Sequence, residues 1–464
     1  MFGAFYLAGT GYGLLGPAIA FLGLAIVTAG AVALSFRFGL PCAILGLVGG
    51  FAAPVMVDSD SANVPLLALY LGLVTAGLSW TGVRQGHRWL GYAALGIGLF
   101  WGALMQFAGL GSSSDILSVG GYLIVLGTVL PAFLYDRKGP GILQIIAGAA
   151  ATLQMAMLVV EAGFAPLTWG LYLLIASAIA GLGWWFRELR PASAIAAFVG
   201  FWLLSLWPDA STRSVFLVTG VMALVFVCVP LVHLWRKQAG VLDIGQISLG
   251  SLGLGLALGY QLAITPFVRS VNDAELAACL MGLALFPAAA LTLHWRRNET
   301  LGTPPTILSL GAGYTLTLAA LLLISPEWAA PLVTGGLAVA LAALLWRREA
   351  FALRLAAWVG MAVAVFALIG TPHAEQEFMR LADEGDLVEP LLASLRWAAL
   401  LPGLLAMSVI RDRPPSHQVS DGLAAFVAYG ALAQALPGEV LPAAAAFGGA
   451  IIVLWKPQRV KAWA

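Results

Sequence analysis

Long apolar runs separated by short polar gaps make up the whole chain. A hydrocarbon core about 30 Å thick is crossed by about 20 apolar residues in a helix, because each helical residue advances about 1.5 Å. By this measure the pattern predicts about 17 membrane-spanning helices. The predicted spans are 13–35, 38–57, 62–83, 88–109, 115–135, 140–161, 165–186, 190–207, 213–235, 240–261, 274–295, 303–325, 328–346, 352–370, 389–410, 420–435 and 440–455.

Basic residues fall in every second gap between these runs. The alternate gaps carry acidic residues such as Asp115, Glu161 and Glu327. Cytoplasmic loops collect Lys and Arg, so the alternation predicts an outer N-terminus and a cytoplasmic C-terminus. A miscounted helix would invert the alternation from that point on, and no inversion occurs. The basic gaps hold 19 of the 23 Lys and Arg residues: Arg37, Arg84, Arg88, Arg137, Lys138, Arg187, Arg190, Arg236, Lys237, Arg296, Arg297, Arg347, Arg348, Arg354, Arg411, Arg413, Lys456, Arg459 and Lys461.

Composition agrees with this pattern. Hydrophobic residues make up 61% of the chain and charged residues 10%, and the mean hydropathy is +0.94. Soluble domains carry about 25% charged residues, so an ordinary soluble protein is excluded, as is a disordered chain. The predicted fold class is an all-α, polytopic integral membrane protein, with residues 1–464 in a single transmembrane domain. The net charge of +1 offers no field for nucleic acid, so membrane lipids are the expected partners, and no oligomeric state is predicted.

The only long gap, residues 371–389, is rich in acidic residues and falls on the predicted outer side. Ala374, Phe378 and Leu381 lie at positions i, i+4 and i+7, which place them on one face of a helix. A short amphipathic helix on the membrane surface is therefore expected here.

The second run contains Gly49, Gly50 and Pro54. Paired glycines and a nearby proline leave backbone carbonyls without their helical donors. A spanning helix tolerates this only where other groups donate hydrogen bonds to those carbonyls. One interpretation is a discontinuous or re-entrant segment that lines a substrate path. The other is close helix packing through small residues. The sequence leaves both open.

Arg396 lies about seven residues into its predicted span, so about 10 Å below the outer surface. Ionisable groups at such depth mark functional sites by default, because burying a charge is costly. Glu389 lies seven residues earlier on about the same helix face, and Trp397 is adjacent. Arg396 is therefore a candidate contact for an anion or lipid headgroup. The alternative is that it snorkels outward or satisfies a carbonyl near Pro402.

Asp243 lies near the inner start of its predicted helix, where the helix dipole favours an acid, so a structural role is the stronger interpretation. Four amides fall within spans: Gln106, Gln154, Gln246 and Gln261. They either join helices by hydrogen bonds or line a polar route, and the first is favoured.

No catalytic motif is present. Residues 11–16 match GxGxxG, but the strand and the later acid of a dinucleotide site are missing. Cys42, Cys228 and Cys279 are too scattered for a metal site. We therefore predict no catalytic residue, no cofactor and no metal.

Residues 40–54, LPCAILGLVGGFAAP, resemble the LGLLGGFLxPLL signature of a bacterial family of predicted membrane proteins, domain-of-unknown-function family 2339. Residues 83–90, VRQGHRWL, resemble the RxGxRWL turn of that family, and the likeness is strongest over about residues 30–110. The resemblance implies a multi-spanning bacterial membrane protein and no activity or substrate. The first residues, MFGAFYL, resemble the tail of a preceding helix, so either a shortened family member or a truncated gene is expected.

The leading functional hypothesis is translocation of a solute or lipid-linked molecule across a bacterial inner membrane. The alternatives are a membrane-embedded enzyme that uses the acids of 371–389 on a lipid-linked substrate at the outer face, and a non-catalytic envelope scaffold. If the protein is a transporter, we expect a polar cavity near the midplane of the membrane. If it is an enzyme, we expect convergent carboxylates, and if it is a scaffold, we expect an apolar interior. The residues predicted to lie in the path are Arg396, Trp397, Glu389, Gly49, Gly50, Pro54, Asp243 and Gln246.

Overall fold

A computed structural model shows an all-α protein. It describes residues 17–56, 63–135, 141–208, 210–237, 240–264, 272–296, 304–347, 350–382, 389–409 and 416–455. These ranges contain no strand. The GxGxxG string lies outside the described residues, as do three residues of the predicted acidic gaps, Asp58, Asp60 and Asp209.

A helix coincides with each of the predicted spans. The helices are Pro17–Phe38, Leu40–Met56, Val64–Arg84, Arg88–Phe107, Ser113–Leu134, Ile142–Glu161, Pro166–Trp185, Arg190–Ser205, Thr212–Trp235, Val241–Gly259, Asp273–Arg296, Pro304–Ile324, Ala330–Arg347, Phe351–Ile369, Pro390–Ala398 with Leu401–Val409, Ser416–Ala435 and Leu441–Trp455. Within the described ranges, twelve helices are long and apolar enough to cross a membrane. The all-α polytopic fold is thus confirmed, while the exact number of spans and their orientation stay predictions.

Large apolar side chains on the outer surface of the helices indicate which medium surrounds them. Phe107, Trp185 and Phe366 lie on three different helices and are each more than 70% exposed. In water such residues would be driven inside, whereas on a membrane-spanning helix they contact acyl chains. Lipid is therefore the medium of these helices.

The chain divides into two compact units, Met1–Val229 and Pro230–Ala464. In the first unit, small residues let helix backbones approach closely. A Cβ added at Gly127 would lie 2.6 Å from Cβ of Ala151, so only glycine fits there. Close approach of this kind is how helices associate where lipid removes the hydrophobic driving force.

In the second unit, an apolar core joins four helices through residues that include Met361, Leu404 and Val427. Next to this core, a turn at residues 399–400 separates Pro390–Ala398 from Leu401–Val409.

Gly335 lies against this turn, and a Cβ built on it would be 2.5 Å from the carbonyl oxygen of Ala399. This close approach fixes the end of Pro390–Ala398, the helix that carries Arg396.

Candidate functional site

A short helix, Ala374–Met379, follows the spanning helix Phe351–Ile369 and continues as a 3₁₀ turn over Arg380–Ala382. Three hydrogen bonds connect this segment to the helix Ser416–Ala435 and the residue that follows it. Gln434 Nε2 donates to the carbonyl oxygen of Glu377 at 2.7 Å, Tyr429 Oη to that of Leu381 at 3.2 Å, and Arg380 Nη2 to that of Leu436 at 3.4 Å. The segment therefore packs into the second unit.

Glu377 lies on the inward face of this short helix and is 3% exposed. Its Oε1 accepts hydrogen bonds from Nε of Arg396 at 2.8 Å and from Nη2 of the same side chain. Its Oε2 accepts from Nε1 of Trp397 at 3.0 Å. Both partners are 1% exposed or less. One buried carboxylate thus holds two successive side chains of a spanning helix.

Aromatic rings enclose the indole of Trp397. The rings of Phe378 and Phe426 lie edge-on to it, with centroids 5.3 and 5.9 Å away. Gly430 contacts the indole ring, and a Cβ at that position would overlap ring atoms. Because Ser416–Ala435 packs against Pro390–Ala398, this glycine lets the two helices come close enough to bury Trp397.

The charges of Glu377 and Arg396 cancel, which makes their burial tolerable. Arg396 lies within Pro390–Ser408, one of the helices able to cross a membrane. Its third nitrogen, Nη1, is buried and has no hydrogen-bond partner among the described residues. Arg396 and Trp397 therefore form a site for an anion, and the carboxylate of Glu377 occupies it.

Sequence reasoning singles out Arg396 and Trp397 and names Glu389 as an acid on about the same helix face, whereas the acid that contacts Arg396 in the structure is Glu377. Glu389, the acid nearest on its helix, is exposed and has a backbone φ of +47°. Glu377 comes from the connecting segment instead. The sequence contains a signal only for the burial of Glu377, which lies at i+3 from Ala374 and so falls on the face predicted to be apolar. Whether this helix lies at the membrane surface stays a prediction.

Of the two interpretations of Gly49, Gly50 and Pro54, the discontinuous one does not describe the structure, since Leu40–Met56 is one helix with Pro54 inside it. Proline has no N–H, so the carbonyl of Gly50, four residues earlier, loses its helical donor. Tyr70 Oη donates to that carbonyl at 2.8 Å. The freed carbonyl that the sequence predicts is therefore present, and a neighbouring helix satisfies it.

Gly50 also lies at a contact between three helices. A Cβ there would be 2.9 Å from Cγ2 of Thr28 and 2.9 Å from Cγ1 of Val74. The structure at Gly50 therefore agrees with the second interpretation of this segment, which is close packing of helices through small residues.

Asp243 caps its helix. Its Oδ2 accepts from the backbone N–H of Gly240 at 2.7 Å, and its Oδ1 lies 3.1 Å from Nδ1 of His233. The histidine contact is not predicted from the sequence. Gln246 lies half-buried one turn further along the same helix.

The amides of Gln106 and Gln154 join two helices of the first unit. Gln106 Nε2 donates to the carbonyl oxygen of Gln154 at 3.0 Å, and Gln154 Nε2 to that of Leu99 at 2.9 Å. The interhelical interpretation of these residues is confirmed. Among the described residues, no group of three or more His, Cys, Asp and Glu side chains could hold a metal ion.

Comparison with known proteins supports the membrane assignment. The family described as "Predicted membrane protein (DUF2339)" matches residues 1–169, which confirms the resemblance seen in the sequence. No curated protein and no solved structure matches the chain. The matched residues lie in the first unit, whereas Glu377 and Arg396 lie in the second. The chain is a multi-spanning membrane protein, and the family description attaches no activity to it.

Proposed function

We propose that this protein translocates a solute or a lipid-linked molecule, and that its route includes Arg396 and Trp397. The observation that supports this is the buried pair of Glu377 and Arg396, which joins a connecting segment to a spanning helix. Ionisable residues inside spans commonly mark substrate or ion pathways.

The pair has the properties of a gate. A buried ion pair contributes little net stability compared with apolar residues of similar volume, so stability alone is a weak reason for its presence. Its two halves lie on elements of different kinds, the helix Pro390–Ala398 and the six-residue helix Ala374–Met379. Moving the short helix outward would uncover the guanidinium while the spanning helices stay in place.

The alternation of basic and acidic gaps supports an orientation with the 371–389 segment outside, and the resemblance to a bacterial family supports a location in a bacterial inner membrane. Arg396 is six residues beyond Pro390, so it lies about 9 Å along the helix from that end. The proposed gate therefore closes the outer end of the route.

The two alternative functions fit the site less well. Glu377 gives the enzyme alternative no support, because Arg396 and Trp397 already engage both of its oxygens. A scaffold with an apolar interior has no use for a buried charge pair. A place in the route for the other predicted residues stays a prediction: Glu389, Gly49, Gly50, Pro54, Asp243 and Gln246.

Flux through reconstituted protein tests the proposal. Proteoliposomes would contain radiolabelled sodium, phosphate or succinate, and a fluorescent lipid would report transfer between leaflets. We expect Glu377→Gln to raise at least one flux about tenfold over wild type, since about 1.4 kcal/mol of lost closure suffices for that change. Glu375→Gln, an exposed acid of the same short helix, is the matched control and should behave as wild type.

Arg396→Gln should remove the flux that Glu377→Gln creates. If folded Glu377→Gln passes neither solute nor lipid faster than wild type does, translocation through this site is wrong.

A further inference from the structure

The pocket around the Glu377 carboxylate offers more donors than the carboxylate uses. Arg396 provides Nε, Nη1 and Nη2, and Trp397 provides Nε1. Glu377 accepts from three of these four nitrogens, and Nη1 of Arg396 is left without a partner in the described part of the chain. A buried donor without an acceptor costs free energy. An occupant with more acceptor oxygens than a carboxylate would therefore suit the pocket better.

The number of acceptor oxygens indicates the class of this occupant. A carboxylate is planar and has two oxygens, and both are already engaged by Arg396 and Trp397. A phosphate group is tetrahedral and presents more acceptor oxygens to these donors than a carboxylate does. Guanidinium also binds phosphate through paired N–H groups, which adds geometric fit to the charge.

We propose that Arg396 and Trp397 form a phosphate-binding site and that Glu377 occupies it while no ligand is bound. This inference rests on the proposed function, because the phosphate group belongs to the molecule that is translocated. Exchange of the carboxylate for a singly charged phosphate keeps the buried region neutral. The cost of an uncompensated buried charge therefore does not arise.

Displacement of Glu377 couples binding to movement of the short helix. The carboxylate is buried on Ala374–Met379, and the carbonyl of the same residue is held by Gln434. A ligand that takes the Arg396 site releases one of these two attachments. Opening then depends on ligand binding, as a substrate-operated gate requires.

A phosphate group can come from a soluble phosphate compound or from a lipid headgroup, so the test has an arm for each source. The full chain would be purified in a maltoside detergent, which contains no phosphate. Inorganic phosphate represents the soluble source, dihexanoyl phosphatidic acid the headgroup, and acetate a planar oxyanion. Binding would be measured as the rise of the thermal unfolding midpoint with ligand concentration.

We expect Glu377→Gln to bind inorganic phosphate or phosphatidic acid at least tenfold more tightly than wild type does, because the internal competitor is lost. Glu375→Gln should match wild type, and Arg396→Gln introduced together with Glu377→Gln should abolish binding. Binding of inorganic phosphate assigns a soluble ligand, and binding of phosphatidic acid alone assigns a headgroup. Equal binding of acetate, or no binding by folded Glu377→Gln, overturns the proposal.

A second variant covers the case in which Glu377→Gln does not fold. Gln434→Leu keeps both charges and removes the hydrogen bond to the Glu377 carbonyl, so phosphate should displace the carboxylate more easily than in wild type. Unchanged phosphate affinity in this variant overturns the proposal as well. These measurements need no membrane crossing, so binding without flux contradicts only the proposed function. Flux without phosphate binding contradicts only this inference.

Discussion

The hydroxyl of Tyr70 donates a hydrogen bond to the carbonyl oxygen of Gly50, across two neighbouring helices. That carbonyl has no helical donor because Pro54 stands where the N–H would be. In a hydrocarbon environment there is no water to replace the missing donor. The side chain of one helix therefore repairs the backbone of another, and the proline is accommodated without a break.

Tyr70→Phe should lower the free energy of unfolding by about 1–3 kcal/mol, because it leaves the Gly50 carbonyl buried and unsatisfied. Thermal or denaturant unfolding in detergent measures this. The half-exposed Tyr260 provides the control, and Tyr260→Phe should change little.

A double variant isolates the mechanism. In Pro54→Ala, the alanine N–H can serve the Gly50 carbonyl, so Tyr70→Phe should cost less in that background than in wild type. An equal cost in both backgrounds would show that Tyr70 stabilises the protein by some other contact.

The spanning helices are predictable because the bilayer fixes their length and apolarity, and each predicted run has its helix. Arg396 is predictable for the same reason, since a charge stands out in an apolar run. Its partner is not, because Glu377 lies 19 residues away in a connecting segment and meets it only through tertiary packing. Likewise, the sequence predicts the freed carbonyl of Gly50, but not that Tyr70 would satisfy it.

Gly430 is expected to accept no side chain. The Cβ of Gly430→Ala would overlap the buried indole of Trp397, so the variant should lose about 1–3 kcal/mol of stability through overpacking. Gly336→Ala is the matched control, since a Cβ at Gly336 meets nothing within 4 Å. Unfolding midpoints of the two variants give the comparison.

Relief of the overlap should restore stability. Trp397→Phe in the Gly430→Ala background has a smaller ring and should recover part of the loss. If Gly430→Ala is as stable as Gly336→Ala, the close approach of Ser416–Ala435 to Trp397 is incorrect.

Asp243 is expected to act as a helix cap. Asp243→Ala removes the acceptor of the Gly240 N–H and the contact with His233, and should cost about 0.5–2 kcal/mol of stability. If capping is the only role of Asp243, flux in the folded variant, measured with the same proteoliposomes, should equal that of wild type. Reduced flux at unchanged stability would instead support a place for Asp243 in the route.

The strongest coupling in the described site is expected between Glu377 and Arg396. Glu377→Gln or Arg396→Gln alone leaves one charge buried without its partner, and each should cost about 3–5 kcal/mol of stability. The double variant removes both charges, so its loss should be smaller than the sum of the two single losses, by about 0.5–3 kcal/mol. Unfolding in detergent measures the stability of wild type, of both single variants and of the double variant, which together make up the double-mutant cycle.

The exposed Glu375 on the same short helix gives the reference for a charge change that breaks no buried pair. Glu375→Gln should alter stability by no more than about 0.5 kcal/mol. Additive losses for Glu377→Gln and Arg396→Gln would mean that the two side chains do not meet in the folded protein. The gate and the phosphate site would then both lose their structural basis, because each depends on Glu377 being held by Arg396 when the route is closed.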